Sequence, residues 1–393
     1  MGTWSQMRSL DFIEFNPRLS IKKGAVATKV AMDKLKPFTK KIPETEKAEF
    51  GGGSKFCNGD TIMARITPCL ENGKTAFIDI LEDNEIAFGS TEFIVMRARD
   101  GVSDPQFVYY LATSPMFRSI AIKSMVGSSG RQRVQQSVLN ELNLNVPSLE
   151  EQKRIGSFLA WLDEKIAINN QINDNLAQQA QAVFVDMFAK NKAVVPATIA
   201  DIALNVTDGV HNTVHDDPEG EFFLLSCKNI KGGTLSIGPS ERRISSDTFE
   251  KLRRRTKLSK GDVLISSVGT VGELLLLNEE PFNYEFQRSV AMVKPNLDIV
   301  SPAYLYESLL SQKAELINAA HGAVQQCLFI SDIAGFPIGI PERDELYDFD
   351  TAVTPLFDMI SANEAENQRL AEMRDALLPK LMSGELDVSN LML

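Results

Sequence analysis

The chain has 393 residues, of which 44% are hydrophobic, and a formal net charge of −11. This length allows two or three domains with their own cores, and the absence of a run of 18 apolar residues argues against a membrane span. The first residues lack the apolar segment of a signal peptide. Four scattered cysteines form no CxxC pair, so we expect a cytoplasmic protein without a disulfide framework or a structural metal site.

The acidic charge is unevenly distributed along the chain. Residues 342–393 carry 4 basic and 12 acidic side chains, a net charge of −8, whereas residues 242–260 carry 8 basic and 2 acidic, a net charge of +6. Residues 18–41 are also basic. Because phosphate contacts are local and screened beyond about 10 Å, such stretches allow an acidic chain to bind nucleic acid. The alternative is that each stretch is an ordinary solvated surface.

The first part of the chain is predicted to be a mixed α/β domain. Alternating and β-branched residues predict strands at 61–66, 75–80 and 91–98. A helix over 107–123, a glycine-containing loop over 127–133 and a final strand that ends at Pro147 follow.

A long helix is predicted from about Leu149 to Ala189, since apolar residues and Asn recur there at alternating spacings of three and four. Such a seam faces another helix. Its seam residues are Leu162, Ile166, Asn169, Asn173 and Leu176.

The second half of the chain repeats this order. Strands are predicted at 221–230, 262–269, 272–278 and 288–295, a helix at 302–320, a loop from His321 and a strand that ends at Pro341. A second long helix is predicted from about Phe349 to Met382. Its seam residues are Leu356, Ile360, Asn363, Asn367 and Leu370.

The two helices superpose at an offset of 194 residues, which places Leu162 on Leu356 and Asn169 on Asn363. The match continues upstream through the loop and strand, and it drifts only in the first part of each domain. The sequence therefore predicts an internal duplication. We expect an α+β protein with domains at 1–148 and 193–342 and spacer helices at 149–192 and 343–393. The helices would pair as an antiparallel coiled coil about a pseudo-two-fold axis, with one domain at each end.

Catalytic motifs are weak throughout the chain. The segment ENGKT (71–75) lacks the first glycine of a phosphate-binding loop, because Pro68 stands there. His211 and His215 form an HxxxH pair without an adjacent Glu, in a segment that is typical of a loop. Glu151 and Lys153 match a nuclease-like ExK, but a capping box with Ser148 explains them better. We predict that the chain is not an enzyme.

Polar loops and basic residues instead indicate binding. The loop at 127–133 and the turn at 207–213 carry side chains that suit guanine, adenine and phosphate, although each could be a solvated turn. The residues that we predict to contact DNA are Lys22, Lys23, Lys36, Ser128, Gly130, Arg131, Gln132, Arg133, His211, Asn212, Thr213, Arg242, Arg243, Arg254, Gln325 and Gln326.

The sequence resembles the specificity subunits of Type I restriction–modification systems. The resemblance rests on PSLEEQKRIGSFLAWLDEKI (147–166), NEAENQRLAEMRDALLPKLMSGELDV (363–388), and GDTIMARI and GDVLISS ahead of each domain's core. The turn TDGVHNT (207–213) resembles one that recurs at the start of such domains.

The resemblance implies a non-catalytic subunit that binds double-stranded DNA. Each target recognition domain would read one half of a bipartite, asymmetric site, and the paired helices would set the spacer between the halves. Two methyltransferase subunits, which bind S-adenosylmethionine, would dock on it, and restriction subunits would join for ATP/Mg-dependent translocation and cleavage. The chain itself would bind no cofactor. Two other classes remain open, namely a protein–protein scaffold without nucleic acid and a nuclease.

Overall fold

The computed structural model describes residues 4–128, 130–189, 195–238, 240–322 and 326–386. The chain divides into two compact units. Unit 1 comprises residues 1–168 and 366–393, and unit 2 comprises residues 169–365. Each unit therefore contains one globular part and a portion of both long helices. The division predicted from the sequence has four consecutive segments, two domains and two helices. The two compact units instead have their boundaries inside both long helices.

Unit 1 has a β-rich globular part with short helices. Its strands are β1 (Ser5–Arg8), β2 (Ile13–Phe15), β3 (Val26–Val30), β4 (Glu46–Glu49), β5 (Ser54–Phe56), β6 (Thr61–Ala64), β7 (Thr75–Phe77), β8 (Ala87–Gly89), β9 (Phe93–Ala98) and β10 (Asn143–Val146). Its helices are α1 (Ser9–Phe12), α2 (Pro105–Thr113), α3 (Pro115–Lys123) and α4 (Gln136–Asn140), and the first long helix, α5 (Leu149–Phe184), follows.

Unit 2 repeats this order of elements. Its strands are β11 (Val195–Thr198), β12 (Ala203–Asp208), β13 (Phe222–Leu225), β14 (Ile230–Lys231), β15 (Thr234–Leu235), β16 (Arg243–Ile244), β17 (Val263–Ser266), β18 (Leu274–Leu276), β19 (Tyr284–Phe286), β20 (Val290–Pro295) and β21 (Pro337–Ile340). Its helices are α6 (Ile199–Ile202), α7 (Ser246–Thr256), α8 (Pro302–Ser311), α9 (Lys313–Asn318), α10 (Ile330–Ala334) and the long α11 (Arg343–Ser383).

The sheet topology matches between the units. The antiparallel sheet β2-β9-β6-β7 of unit 1 corresponds to β12-β20-β17-β18 of unit 2. A second sheet has the order β4-β3-β8-β5 in unit 1 and β16-β13-β19 in unit 2. The pair β3–β8 and the corresponding pair β13–β19 are parallel. The second sheet differs at one edge. In unit 1, β5 pairs with β8, whereas in unit 2 the corresponding strand β19 contacts helix α7 through Glu285 and Arg253. The sequence match between the units drifts in this part of each domain.

One sequence expectation is corrected in both units. The single helices predicted at 107–123 and 302–320 are each two helices. In unit 1 the break lies at Ser114, whose backbone is extended and whose hydroxyl accepts a hydrogen bond from the amide of Phe117 at 3.3 Å. Pro115 begins the next helix, where its missing N–H costs nothing. In unit 2 the break lies at Gln312.

The long helices pair antiparallel inside each unit, as predicted. In unit 1 the carboxylate of Asp163 on α5 lies 2.6 Å from the guanidinium of Arg374 on α11. In unit 2 the amide of Asn363 donates to the side-chain oxygen of Asn173 at 2.7 Å, and the rings of Phe184 and Phe349 lie 5.9 Å apart. Within unit 2, residues farther along α5 therefore meet residues nearer the start of α11.

The bounds of the helices differ slightly from the sequence expectation. After Phe184, α5 continues as a π-helical turn over Val185–Ala189. α11 begins at Arg343, six residues before the predicted start at Phe349. The first turn was not predicted because it is largely polar and not buried, and so leaves no apolar pattern in the sequence. Across the described ranges, no helix has the length and hydropathy that crossing a membrane requires.

Candidate nucleic-acid interface

A polar groove of about 440 Å³ opens beside the end of β12 in unit 2. It is lined by Val210, His211, Asn212, Thr213, Val214, Leu224, Arg242, Gln287 and Arg288. The structure thus brings together four of the residues that the sequence analysis singled out, His211 to Thr213 and Arg242.

The turn that carries His211 is held rigidly. The amide of Gly209 donates to the carbonyl of Val290 at 3.1 Å, and a Cβ on Gly209 would lie 2.1 Å from the carbonyl oxygen of Phe286. Only glycine allows so close an approach of two backbones. Arg255 donates to the carbonyls of Asp208, at 2.6 Å, and of Gly209. The Nε2 atom of His211 lies 2.6 Å from a carboxylate oxygen of Asp208.

The predicted basic residues of unit 2 differ in their surroundings. Arg242 lines the groove but forms an ion pair with Asp216 at 2.6 Å. Arg243 donates to the carbonyl of Gly220 at 3.0 Å and lies over the ring of Phe223. Arg254 pairs with Glu250 at 3.1 Å on the exposed face of α7. Arg243 and Arg254 are outside the lining of the groove.

Unit 1 has a groove of about 360 Å³ in the equivalent place. It is lined by Asn16, Pro17, Arg18, Leu19, Gly53, Ser54, Lys55, Arg65, Thr91, Phe93 and Val95. Each groove follows the first strand of the four-stranded sheet, β2 or β12. Each groove also borders the connection into the last strand of that sheet in chain order, which runs from β8 to β9 in unit 1 and from β19 to β20 in unit 2.

The glycine-rich loop of unit 1 is closed by backbone hydrogen bonds between Val126 and Arg133, at 3.0 and 2.9 Å. The amide of Gln132 donates to the hydroxyl of Thr67 at 3.0 Å. Arg133 forms a two-pronged ion pair with Glu92, and these hydrogen bonds hold the pKa of that carboxyl below its usual range. The exposed residues left at the tip are Ser128, Gly130 and Arg131.

The equivalent loop of unit 2 is closed between His321 and Cys327, whose backbone groups bond at 2.9 and 2.8 Å. Gln326 is exposed, whereas the predicted Gln325 lies outside the described residues. The ring of His321 stacks on Phe329 with the centroids 5.6 Å apart.

Loop and groove adjoin in both units. In unit 1, Arg65 lines the groove and its carbonyl accepts from the amide of Val134, next to the loop, at 2.8 Å. In unit 2, the carbonyl of Ser267 accepts from the amide of Leu328 at 2.9 Å, and its amide donates to Ser289 beside Arg288. Each unit therefore presents one continuous surface that combines a groove with a loop, which we call the composite surface.

Other predicted residues lie elsewhere. Lys22, Lys23 and Lys36 are exposed on the segments that flank β3, outside the groove lining. The seam residues lie on the paired helices. In unit 1, Leu162 and Leu370 are buried and Ile166 packs against them. In unit 2, Leu176, Leu356 and Ile360 share a core with the globular part. Asn169 is buried and Asn367 is half-buried.

Several groove residues are not among the DNA contacts predicted from the sequence. These are Asn16, Arg18, Ser54, Lys55, Arg65, Thr91, Gln287 and Arg288. They come from separate segments and form no motif, so only the fold brings them together. Throughout the part of the chain that the structure describes, no group of three or more His, Cys, Asp or Glu side chains is arranged to hold a metal ion.

Comparison with known proteins agrees with this architecture. Residues 55–178 match the family model of the Type I restriction modification DNA specificity domain. The HindI specificity subunit of Haemophilus influenzae is 26% identical over 84% of this chain and 86% of its own length. The MjaIX specificity subunit of Methanocaldococcus jannaschii is 25% identical over 75% of this chain and 71% of its own.

The chain is therefore similar to Type I specificity subunits over most of its length. A solved structure shares its fold. The S subunit of a Type I restriction–modification system from M. genitalium superposes with a TM-score of 0.53, at 14% identity, over 97% of this chain and 96% of that one.

Proposed function

We propose that the chain is the DNA-specificity subunit of a Type I restriction–modification complex, in which each unit reads one half of a bipartite, asymmetric site. The observation that carries this proposal is that the composite surface occurs once in each duplicated unit, with different side chains. Two domains that share a backbone but carry different side chains at the same place are suited to recognise two different DNA sequences. The similarity to Type I specificity subunits supports the same role.

The chemistry of the surfaces supports DNA rather than a protein as the ligand. Arg, Gln, Asn and Thr side chains present the donors and acceptors that distinguish base edges in the major groove. Exposed cations nearby, such as Lys22 and Lys23, supply contacts to phosphates that position a reader without specifying sequence. An affinity for duplex DNA that rises steeply as the salt concentration is lowered would support this assignment, and the absence of such binding would favour a protein–protein scaffold.

The long helices are proposed to set the spacer between the half-sites. Each helix contributes residues to both units, because α5 crosses from unit 1 at Ile168 to unit 2 at Asn169 and α11 crosses at Ala365. We further propose that two methyltransferase subunits dock on this subunit and that restriction subunits join them. S-adenosylmethionine and ATP/Mg would be bound by those partners, and this chain would be non-catalytic. Its free cysteines suit a reducing, cytoplasmic location.

The test is a matched heptad deletion. Removing seven residues within 162–183 and the matching seven within 356–377 shortens the helices by about 10 Å, equivalent to about three base pairs at 3.4 Å each. The methylated motif, read by sequencing DNA from cells that express the chain with its methyltransferase partner, is expected to keep both half-sites and to lose about three base pairs of spacer. A functional variant with an unchanged spacer would contradict the proposal.

A further inference from the structure

Most arginines of the two globular parts are already engaged within the protein. In unit 2, between residues 195 and 341, the engaged arginines are Arg242, Arg243, Arg253, Arg254 and Arg255. In unit 1, between residues 4 and 148, they are Arg8, Arg65, Arg97, Arg99, Arg118 and Arg133. Among the described residues of these parts, the side chains of Arg18, Arg131 and Arg288 form no hydrogen bond or ion pair with the protein. All three lie on the composite surfaces.

Arg288 combines a fixed backbone with a free side chain. Its amide donates to the carbonyl of Val210 at 3.1 Å, and its carbonyl accepts from the hydroxyl of Ser267 at 3.2 Å. The preceding amide, of Gln287, donates to the carbonyl of Leu225 at 2.8 Å. The side chain is exposed and lines the groove. A reading residue needs this combination, because a rigid backbone fixes where the guanidinium can reach.

Arg288 has a structural equivalent in unit 1. The connection from β19, which ends at Phe286, to β20, which begins at Val290, has three residues, and Arg288 is the middle one. The connection from β8 to β9 also has three residues, 90–92, and Thr91 is the middle one. Both middle residues line the groove of their unit. The same backbone position thus presents a guanidinium in one unit and a hydroxyl with a methyl group in the other.

We infer that Arg288 and Thr91 are equivalent specificity-determining residues, and that Arg288 reads a guanine in the half-site of unit 2. A guanidinium matches the N7 and O6 acceptors of guanine in the major groove, whereas threonine suits other base edges and the methyl group of thymine. The neighbours of Arg288 in the groove are Gln287, Asn212 and Thr213, whose uncharged polar side chains also suit base edges. This inference rests on the proposed function.

The experiment replaces Arg288 in the full chain, expressed with its methyltransferase partner. The wild type and the variants Arg288→Ala and Arg288→Gln are compared by sequencing the methylated sites. Binding is also measured on duplexes in which each position of the site is changed singly. In the wild type, replacing the guanine is expected to weaken binding roughly 5- to 150-fold. In Arg288→Ala this preference disappears at that position alone, and the other half-site keeps its sequence.

Two further variants complete the design. Arg343→Ala removes an exposed arginine at the start of α11 that lines neither groove, and it is expected to leave the motif unchanged. Thr91→Arg places a guanidinium at the equivalent position of unit 1 and is expected to alter only the other half-site.

The possible outcomes separate this inference from the function on which it rests. A bipartite wild-type motif that loses one base preference in Arg288→Ala supports the inference. A uniform loss of binding without a change in motif overturns it and identifies Arg288 as a phosphate contact. An unchanged motif, or changes in both half-sites, also overturns it. A wild type without sequence-specific DNA binding would refute the proposed function itself.

Discussion

Replacing Arg374 by alanine is expected to destabilise unit 1 by about 3 kcal/mol. The guanidinium lies 2.6 Å from Asp163, and the two side chains are only 18% and 11% exposed. Asp163 also accepts a hydrogen bond from the hydroxyl of Tyr110 at 2.6 Å, so this cluster ties α2 to both long helices. Breaking a buried ion pair by removing one partner costs about 3–5 kcal/mol. The lower end applies here, because Tyr110 and the nearby ammonium of Lys40 remain.

The chain offers a built-in probe for this measurement. Its two tryptophans, Trp4 and Trp161, both belong to unit 1, so tryptophan fluorescence during urea denaturation reports the unfolding of that unit. With a urea m-value of about 2–3 kcal/mol/M, the expected loss lowers the midpoint by about 1 M or more.

The matched control is Lys153→Ala on α5, the helix that carries Asp163. Lys153 forms an ion pair with Glu150 at 2.9 Å, but both side chains are more than half exposed. Exposed pairs contribute about 0–1 kcal/mol, so this variant should barely move the midpoint. Equal shifts for Arg374→Ala and Lys153→Ala would refute the reasoning that burial of the Asp163–Arg374 pair determines its contribution.

Three other predictions concern the stability of unit 2 and recognition by both units. Burial raises the pKa of Glu307 to about 8 from an ordinary 4.5. The contribution of Glu307 to the stability of unit 2 should therefore be greatest below about pH 4.5 and fall as the pH rises towards 8. In denaturation curves followed by circular dichroism, Glu307→Gln should lack this contribution, and a pH profile identical to that of the wild type would contradict the assignment. Gly209→Ala drives a Cβ to 2.1 Å from the carbonyl oxygen of Phe286 and should abolish recognition by unit 2. In the control Gly238→Ala the added Cβ would lie 4.0 Å from the nearest atom, a carboxylate oxygen of Glu241, so this variant should bind DNA like the wild type. Equal binding by both variants would count against a rigid turn. Arg131→Ala should weaken or relax recognition of one half-site while the other is unaffected, and equal loss at both would rule out base readout by Arg131.

The long helices and the duplication could be predicted from the sequence because their signals lie in residues close together along the chain. A helix that packs on another helix must repeat apolar residues every three or four positions, and the offset of 194 residues preserves this repeat in both copies. The first turn of α11 was missed because it packs little apolar surface and so leaves no periodicity. The break at Ser114 was missed because apolar residues continue on both sides of it.

The candidate site was recovered only in part. The loop at 127–133 and the turn at 207–213 were recognisable because glycines and small polar residues stand together there. The two grooves were not, because their walls come from segments far apart in the chain, as with Arg18 and Arg65 in unit 1 or Asn212 and Arg288 in unit 2. Basic stretches predict the DNA-binding residues poorly for a similar reason. Arg253 lies in such a stretch, but it pairs with the buried Glu285, 32 residues away.

The amino-acid sequence by itself determined that one unit is used twice and that two long helices carry an apolar seam, because periodicity and internal repetition are written in consecutive residues. Only the tertiary structure decided which charged side chains are available for a ligand. Arg131 and Arg133 stand two residues apart in one loop, yet Glu92 engages Arg133 and leaves Arg131 exposed. Whether a charge is neutralised depends on what the fold places within about 4 Å of it, and that distance is not encoded in the neighbouring residues.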